Sequence, residues 1–213
     1  MMDLMIDHLV YASNDLPSAS ATAAELLGFT PTPGGHHVGK GTYNELLSLG
    51  GATYLEVIGP DPQQAAPDGP RPFGIDGVTG PALVAWCVRP RRPLRQIITE
   101  ARAIGVEFGD VSAMSRRRPD DVLLEWELTL PQLDGPFGLA LPFMIDWGES
   151  AHPTDSLAAA VELVELTVAH PRPDALRAVL GIIGVGTIVV VAEGPPALRA
   201  TIASPDGEVS LTS

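Results

Sequence analysis

The sequence of 213 residues contains one cysteine, Cys87, so no disulfide can form within the chain. Cys87 lies in the apolar run LVAWCV, which predicts a buried small side chain and not a catalytic thiol. No apolar run reaches the roughly 20 residues of a membrane-spanning helix. The N-terminus also lacks the basic and then apolar pattern of a signal peptide. Together these absences predict a protein of the reducing cytoplasm with no membrane partner.

Positive charge is scarce: 13 Lys and Arg stand against 26 Asp and Glu, for a formal charge of −13. This balance excludes nucleic acid as a general partner, because binding to phosphates requires a basic surface. The exception is the basic cluster at residues 115–119 (SRRRP). Two interpretations of this cluster stay open, a solvated loop and an anion-contacting loop beside a pocket.

Several catalytic motifs are also missing. No GxSxG, P-loop, CxxC or GxGxxG pattern occurs, so nothing indicates a nucleophile elbow or a nucleotide site. Aromatic residues make up only 5% of the chain, but hydrophobic residues make up 45%. The chain can therefore bury a large core built mainly from Leu, Val, Ile and Ala.

What the sequence does contain is a repeat. Three predicted helices begin near a proline and end at a glycine, the usual asymmetry of helix ends. The prolines are Pro17, Pro93 and Pro173, and the glycines are Gly28, Gly105 and Gly181. A spacing near 77 residues indicates internal duplication.

Each predicted helix follows one apolar strand and precedes three more strands, which indicates a βαβββ unit occurring three times. We predict an α+β fold in which tandem units form curved mixed sheets around a cleft. The first domain covers residues 1–150, with units at 4–58 and 81–147 joined by a proline-rich linker at 59–81. A third, similar unit covers residues 157–213.

Four separated segments carry a resemblance to a known family. They are IDHLVYASNDL, GGHHVGKGTYNELLSLGGATYLEVIGPDP, RRPDDVLLEWEL and LPFMIDWGESAHP. In this order they resemble the glyoxalase-like domain family of the vicinal-oxygen-chelate superfamily, which includes glyoxalases, bleomycin-resistance proteins and dioxygenases. The resemblance implies paired βαβββ units around a small-molecule cleft.

The resemblance also implies a metal site with ligands on the first and last strands of each unit. His8 and Glu56 match these positions in the first unit, and Asp146 is a candidate third ligand in the second. The first strand of the second unit offers only Leu83, Val84 or Ala85 at the position of His8, and none of these binds metal. A divalent metal of unknown identity and a metal-free pocket are therefore equally compatible with the sequence.

Polar residues near these positions are candidates for substrate binding or catalysis. We predict that His37 and not His36 enters the pocket, together with Thr42 and Asn44 from the next strand. Glu125 and Glu127 alternate with an apolar set that we expect to face the helices, so the two carboxylates would face the cleft or water as possible acid-base residues. Trp126, between them, is a further candidate for substrate binding.

Two functions from different classes follow. The first is metal-assisted lyase, isomerase or dioxygenase chemistry on a small oxygenated substrate. The second is metal-free binding of a small molecule without catalysis. In either case the third unit caps a sheet edge or pairs with its copy in a homodimer.

Overall fold

A computed structural model describes residues 6–213. The first predicted unit was expected to begin at residue 4, so its first two positions lie outside the described residues. The unit forms as expected, with β1 Ile6–Ala12, α1 Leu16–Leu27, β2 Thr32–His37, β3 Thr42–Ser48 and β4 Tyr54–Pro60. Asp15 caps α1 by accepting from the backbone N–H of Ser18, and Gly28 ends the helix in the left-handed conformation at φ 74°.

The second unit repeats this order after the linker. It contains β5 Ala82–Val88, α2 Leu94–Ala103, β6 Val111–Arg117, β7 Leu123–Thr129 and β8 Phe143–Asp146. In both units the first strand pairs in parallel with the last, β1 with β4 and β5 with β8. The two units then join through the antiparallel pairs β1–β5 and β2–β6.

These pairings close the eight strands into a barrel in the order β1-β4-β3-β2-β6-β7-β8-β5. The strands have an inner and an outer apolar face, because successive side chains alternate. Val10, Tyr54 and Trp126 belong to a cluster inside the barrel, whereas Leu9 and Leu55 pack outward in a second core that includes the helices. The inner face positions the site.

The third unit contains β9 Glu162–His170, α3 Pro173–Ile183, β10 Val190–Glu193, β11 Ala197–Ser204 and β12 Gly207–Thr212. Its order of elements matches the repeat, but its sheet is β10-β9-β11-β12, with β9 parallel to β10 and antiparallel to β11. In the barrel, β2 and β6 pair with each other across units. β10 is the counterpart of β2 and β6 in the third unit. Residues 6–213 contain no fourth unit whose second strand could pair with it, and β10 pairs with β9, the first strand of its own unit.

One predicted boundary was wrong. Helix α3 continues through Gly181 to Ile183 and is capped by Gly184 at φ 83°. The reason is burial: Ile183 contributes to the outer core that the third unit shares with the barrel, so ending the helix earlier would leave it exposed. Within the part of the chain that the structure describes, no helix is both long and apolar enough to cross a membrane.

The third unit packs directly on the barrel. The backbone N–H of Leu163 donates to the carbonyl of Leu49 over 2.8 Å, and that of Val161 donates to Ser48 over 3.3 Å. Side chains of both parts also share one hydrophobic cluster. The division into domains near residue 150 stays a prediction.

Candidate functional site

A cavity opens into the barrel, and the space between its walls, including the part open to solvent, is about 550 Å³. This volume limits a ligand to a small molecule. The polar part of the wall is formed by His8, His37, Asn44, Tyr54, Glu56 and Arg116. The rest is apolar and largely aromatic, and it includes Phe73, Trp126, Phe143 and Trp147.

His8 reaches the cavity from β1 beside a β-bulge. The pairing of β1 with β5 runs from Ile6 with Val88 to His8 with Cys87, so Asp7 is an extra residue on its strand. The bulge leaves Asp7 next to the His8 ring and not strictly on the opposite face. His8 Nδ1–H donates to Asp7 Oδ1 over 2.7 Å. This bond fixes the tautomer of His8 and leaves Nε2 as the ring atom available to the cavity.

Asp7 is fully buried and is surrounded by donors. Its Oδ2 accepts from Trp147 Nε1 and from His152 Nε2, each over 3.1 Å, and Arg89 Nε lies 3.7 Å away. Burial raises the pKa of Asp7, but the hydrogen bonds and charges of His152 and His8 outweigh it, so the pKa lies well below its usual range. Asp7 is therefore ionised, and its charge holds the His8 ring in place.

Glu56 is the carboxylate at the centre of the polar wall. Its Oε2 lies 3.7 Å from His8 Nε2. Its other oxygen, Oε1, accepts from Asn44 Nδ2 over 2.6 Å and lies 3.6 Å from His37 Nε2. One oxygen of Glu56 is thus held by a neighbouring amide, while the other shares the cavity with the free nitrogen of His8.

His37 and Thr42 support this arrangement from β2 and β3. Burial lowers the pKa of His37 to about 4, against the raising effect of Glu56, so the ring is neutral near pH 7. Its Nδ1 lies 2.9 Å from Thr42 Oγ1, and its Nε2 lies 3.4 Å from the Asn44 amide nitrogen. Thr42 thus contacts His37 and is not part of the cavity wall, whereas His36 pairs with Asp61 in a surface groove.

Tyr54 stacks on the His8 ring, with centroids 4.7 Å apart and planes at 21°. Burial raises the pKa of its hydroxyl well above the usual value. The phenol therefore stays protonated and can donate a hydrogen bond to a ligand oxygen in the cavity.

The linker between the two units also reaches the cavity. Pro72 and Phe73 line its wall, and the Phe73 ring lies 5.5 Å from that of Phe143. Phe73 has a φ of 61°, a conformation that costs a non-glycine residue about 1–3 kcal/mol. The proline-rich segment that the sequence marks only as a joint thus forms part of the cavity wall.

A divalent metal can be tested against these distances. Ligand atoms about 2.0–2.2 Å from one ion lie at most about 4.4 Å apart, so His8 Nε2 and Glu56 Oε2, 3.7 Å apart, could share an ion. Among residues 6–213, only Asp7, His8 and Cys87 bring three ligand atoms within 4.8 Å of one another. That group is a possible metal site by distance.

The chemistry of this group does not fit a metal. Asp7 already accepts hydrogen bonds from His8, Trp147 and His152. The Cys87 thiol lies 3.8 Å from the carbonyl oxygen of Val88, and burial raises its pKa well above the usual value, so a metal would have to displace a proton from a buried group that is not part of the cavity wall. His37 also lines the cavity, but its ligand atoms do not form a group within 4.8 Å together with those of His8 and Glu56. His8 and Glu56 therefore offer a metal two ligands at a suitable distance, fewer than the three of a typical catalytic site.

Three predicted site residues lie away from the cavity. Asp146 is exposed, and its carboxylate accepts from the backbone N–H of Gly148, so the structure does not bring it to His8 and Glu56. Glu125 and Glu127 are exposed on the outer face of β7, where Glu127 lies 3.4 Å from Arg95.

The expected orientation of β7 was wrong. Trp126 and Leu128 line the cavity instead of meeting the helices, because closure of the barrel turns the apolar face of β7 inward. The same closure leaves the two glutamates on the outer face of the strand.

Two further residues complete the site. The sequence did not single out Asp7, because strict alternation places it on the opposite face from His8. Arg116 was named only within the basic cluster at residues 115–119, for which an anion-contacting loop beside a pocket was one of two interpretations; it lies on β6, which continues to Arg117, and not in a loop. Alternation along VSAMSRR could have found it, since Met114 and Arg116 share the inward face.

The family model described as the glyoxalase-like domain matches residues 6–182. The chain belongs to the glyoxalase-like domain family. This confirms the resemblance to that family drawn from the sequence. No curated protein matches the chain significantly.

Solved structures with similar folds include a hypothetical protein from Staphylococcus aureus, with a TM-score of 0.60 and 14% identity over 97% of this chain and 84% of that one. For a mutant 4-hydroxymandelate synthase from Streptomyces coelicolor the TM-score is 0.48 and the identity is 14%, over 100% of this chain and 63% of that one. For methylmalonyl-CoA epimerase from Mycobacterium tuberculosis the TM-score is 0.39 and the identity is 18%, over 68% of this chain and 89% of that one. The first shows that another protein shares the overall fold of this chain and shows nothing of its function, and the other two carry no argument about this chain.

Proposed function

We propose that this glyoxalase-like chain catalyses proton transfer at a carbon next to a carbonyl group, in a small oxygenated molecule bound in the barrel cavity. The observation that supports this proposal is the position of His8. A buried, ionised Asp7 orients its ring, and its Nε2 shares the cavity with Glu56 Oε2 at 3.7 Å. A histidine held by a carboxylate is a common arrangement for a general base.

In the proposed step, His8 Nε2 takes a proton from the carbon beside the carbonyl. The electron pair of the broken C–H bond forms a C=C bond, and the carbonyl oxygen becomes an enolate oxygen. The protonated phenol of Tyr54 donates a hydrogen bond to that oxygen. Protonated His8 passes the proton to Glu56 Oε2, 3.7 Å away, and Glu56 delivers it to the opposite face of the same carbon for an epimerisation, or to a neighbouring carbon for an isomerisation.

Asp7 and Asn44 are positioning residues in this scheme. Asp7 holds the reactive tautomer of His8 and stabilises the ring while it carries the extra proton. Asn44 holds Glu56 Oε1 over 2.6 Å, so the other oxygen of Glu56 is the one that faces His8. No step uses a metal, because among residues 6–213 no third ligand atom of a His, Cys, Asp or Glu lies within 4.8 Å of both His8 Nε2 and Glu56 Oε2.

Binding without catalysis is the second candidate. It is favoured by the one-sided placement of reactive groups: His8, Tyr54 and Glu56 all come from the first unit. The second unit supplies apolar groups and the donors Arg116 and Trp126 to the cavity wall. A binding protein would use the same wall without proton transfer.

Exchange of deuterium from D2O into small ketones, followed by proton NMR, tests the proposal. The probes are 2-oxobutanoate and the uncharged pentane-2,3-dione. We expect exchange above the protein-free rate with the wild-type chain, and loss of at least about 100-fold of that increment in His8→Ala. His36→Ala is the matched control, since His36 lies in the surface groove beside Asp61.

Three outcomes would contradict catalysis without a metal. Exchange at the protein-free rate for both probes favours the binding function, provided that thermal shift detects a ligand. Equal rates in His8→Ala and the wild type exclude His8 as the base. If EDTA abolishes exchange and a divalent metal that co-purifies with the chain restores it, the mechanism is metal-assisted.

The cytoplasmic location and the homodimer stay predictions. Light scattering of the full chain measures the oligomeric state directly. A monomer would leave the third unit with the role of covering the barrel, to which it is joined by the hydrogen bonds between β9 and the end of β3.

A further inference from the structure

Two buried donors in the cavity wall have no partner. Across residues 6–213, the buried side-chain nitrogen and oxygen atoms without a hydrogen bond are Arg116 Nε and Trp126 Nε1. Both residues line the barrel cavity, and they are only 3% and 8% exposed. The described residues give the Arg116 guanidinium one hydrogen bond, from Nη1 to Asn44 Oδ1 over 3.2 Å.

Such donors are costly to leave unpaired. A buried N–H without an acceptor loses its bonds to water, and a buried charge without a counter-ion loses more. Burial accordingly lowers the pKa of Arg116. No carboxylate of residues 6–213 forms an ion pair with this guanidinium, and the more distant charge of Glu56 opposes the effect of burial without outweighing it.

The unpaired atoms specify the missing group. Indole and guanidinium nitrogens are donors only, so both require an acceptor from outside the chain. The charge of Arg116 requires that acceptor to be an anion, and a guanidinium matches a carboxylate in two parallel hydrogen bonds. A dianion is disfavoured, because Glu56 already contributes negative charge to the cavity.

We propose that the cavity recognises small molecules that carry a carboxylate, through the Arg116 guanidinium and the Trp126 indole N–H. This inference rests on the proposed function for its site and specifies the substrate class. Arg116 binds the carboxylate, His8 and Glu56 act on a carbon beside the molecule's separate carbonyl group, and the aromatic wall accommodates a short apolar remainder.

The backbone of β2 is adapted to this arginine. A Cβ at Gly34 would lie 2.2 Å from Asn44 Oδ1 and 3.0 Å from Arg116 Nη1. A Cβ at Gly35 would lie 3.2 Å from Arg116 Cγ and 2.1 Å from the carbonyl oxygen of Arg117. Two consecutive glycines thus let β2 pass close to the buried guanidinium and its amide partner.

Binding of matched pairs of probes tests the inference. The carboxylates are 2-oxobutanoate, butanoate and 3-phenylpropanoate, and the uncharged counterparts are pentane-2,3-dione, butanamide and 3-phenylpropanamide. Calorimetry and thermal shift measure each with the full chain. We expect at least one carboxylate to bind about 30-fold or more tightly than its counterpart, a loss typical of removing one member of a buried charge pair.

Two variants assign the preference to the unpaired donors. Arg116→Gln should abolish the difference between carboxylate and counterpart. Arg117→Gln, the adjacent control, should retain it, because the Arg117 side chain points outward and pairs with Asp121. Trp126→Phe keeps an aromatic ring and loses the N–H, and should weaken the carboxylate about tenfold. If Arg116→Gln does not fold, Trp126→Phe tests the inference by itself.

Several results would overturn the inference. They are no binding of any carboxylate to the wild type, equal binding of the uncharged probes, full binding in Arg116→Gln or Trp126→Phe, and inorganic phosphate binding more tightly than the carboxylates. The proposed function fails separately. If both probes exchange at His8-dependent rates that are unchanged in Arg116→Gln, only the carboxylate subsite is refuted. Carboxylate binding through Arg116 without exchange would refute only the catalysis.

Discussion

Replacement of Asp7 by asparagine should damage the site, although it changes only one polar group. Asp7 accepts from His8 Nδ1 over 2.7 Å and from Trp147 and His152 over 3.1 Å each. Asparagine keeps the shape but exchanges one acceptor oxygen for an NH2 group. At least one of the three donors then faces another donor in a fully buried position.

The magnitude follows from these contacts. Hydrogen bonds to a charged group contribute about 1.5–3 kcal/mol each, but the burial of the charge offsets part of that sum. Disrupting a buried charge network by changing one partner costs about 3–5 kcal/mol, and we expect Asp7→Asn to lower the free energy of unfolding by about this amount. The His8 tautomer is also released, so the exchange rate should fall about 100- to 10,000-fold.

The pH dependence provides a second readout. The pKa of Asp7 in the folded chain lies below that of an unfolded aspartate, about 3.9, so the unfolded state binds more protons as the pH falls. The ionised form stabilises the fold above about pH 4, and this stabilisation is lost as the pH falls toward the folded pKa. Asp7→Asn should lack this component of acid destabilisation.

Urea unfolding at several pH values, together with the deuterium exchange assay, measures both effects. Asp76→Asn is the control, because Asp76 pairs with Arg71 on the surface, where such pairs contribute about 0–1 kcal/mol. The reasoning is refuted if Asp7→Asn unfolds like the wild type at pH 7 and retains the wild-type slope below pH 4.

Two further substitutions test neighbouring parts of the wall. Burial lowers the pKa of His37 from 6.5 to about 4, so the unfolded state binds a proton first as the pH falls. The free energy of unfolding should therefore decrease by up to about 3 kcal/mol as the pH falls from 6.5 to 4. Urea titrations should show this slope flattened in His37→Gln and unchanged in His36→Gln. A Cβ at Gly34 would lie 2.2 Å from Asn44 Oδ1, so Gly34→Ala should cost about 1–3 kcal/mol in thermal unfolding. Gly69→Ala, with open space around its Cβ, should cost less; equal costs would contradict the close approach.

Local pattern was sufficient to predict much of the fold. The alternation of IDHLVYA and TYLEVIG implied that His8 shares a face with Val10, and Glu56 with Tyr54. The structure places these four on the inner side of the barrel, in its inner core or its cavity wall. The proline and glycine positions likewise predicted where α1 begins and ends, because helix ends depend on residues within one turn.

The misses depend on contacts distant in sequence. The bulge at Asp7 arises from the register of β1 against β5, which begins 75 residues later. Glu125 and Glu127 were placed by correct alternation, but which face of β7 turns inward depends on barrel closure through β6 and β8. A loop was expected at residues 115–119 because three consecutive arginines do not show the alternation of a strand, although β6 continues to Arg117.

The two halves of the barrel have diverged in a way that accounts for the apparent half of a metal site. The first unit contributes the groups that can exchange protons, His8 and Glu56. The second unit has apolar residues where metal ligands would be expected, and adds the unpaired donors of Arg116 and Trp126. A chelate requires matched ligands from both units, whereas acid-base chemistry requires a base on one side and recognition on the other. A carboxylate held by the second unit would leave the rest of the molecule, with its carbonyl group, toward the first. The apolar residues and unpaired donors of the second unit fit recognition and not metal binding, and the Arg116→Gln and His8→Ala variants should separate binding from turnover.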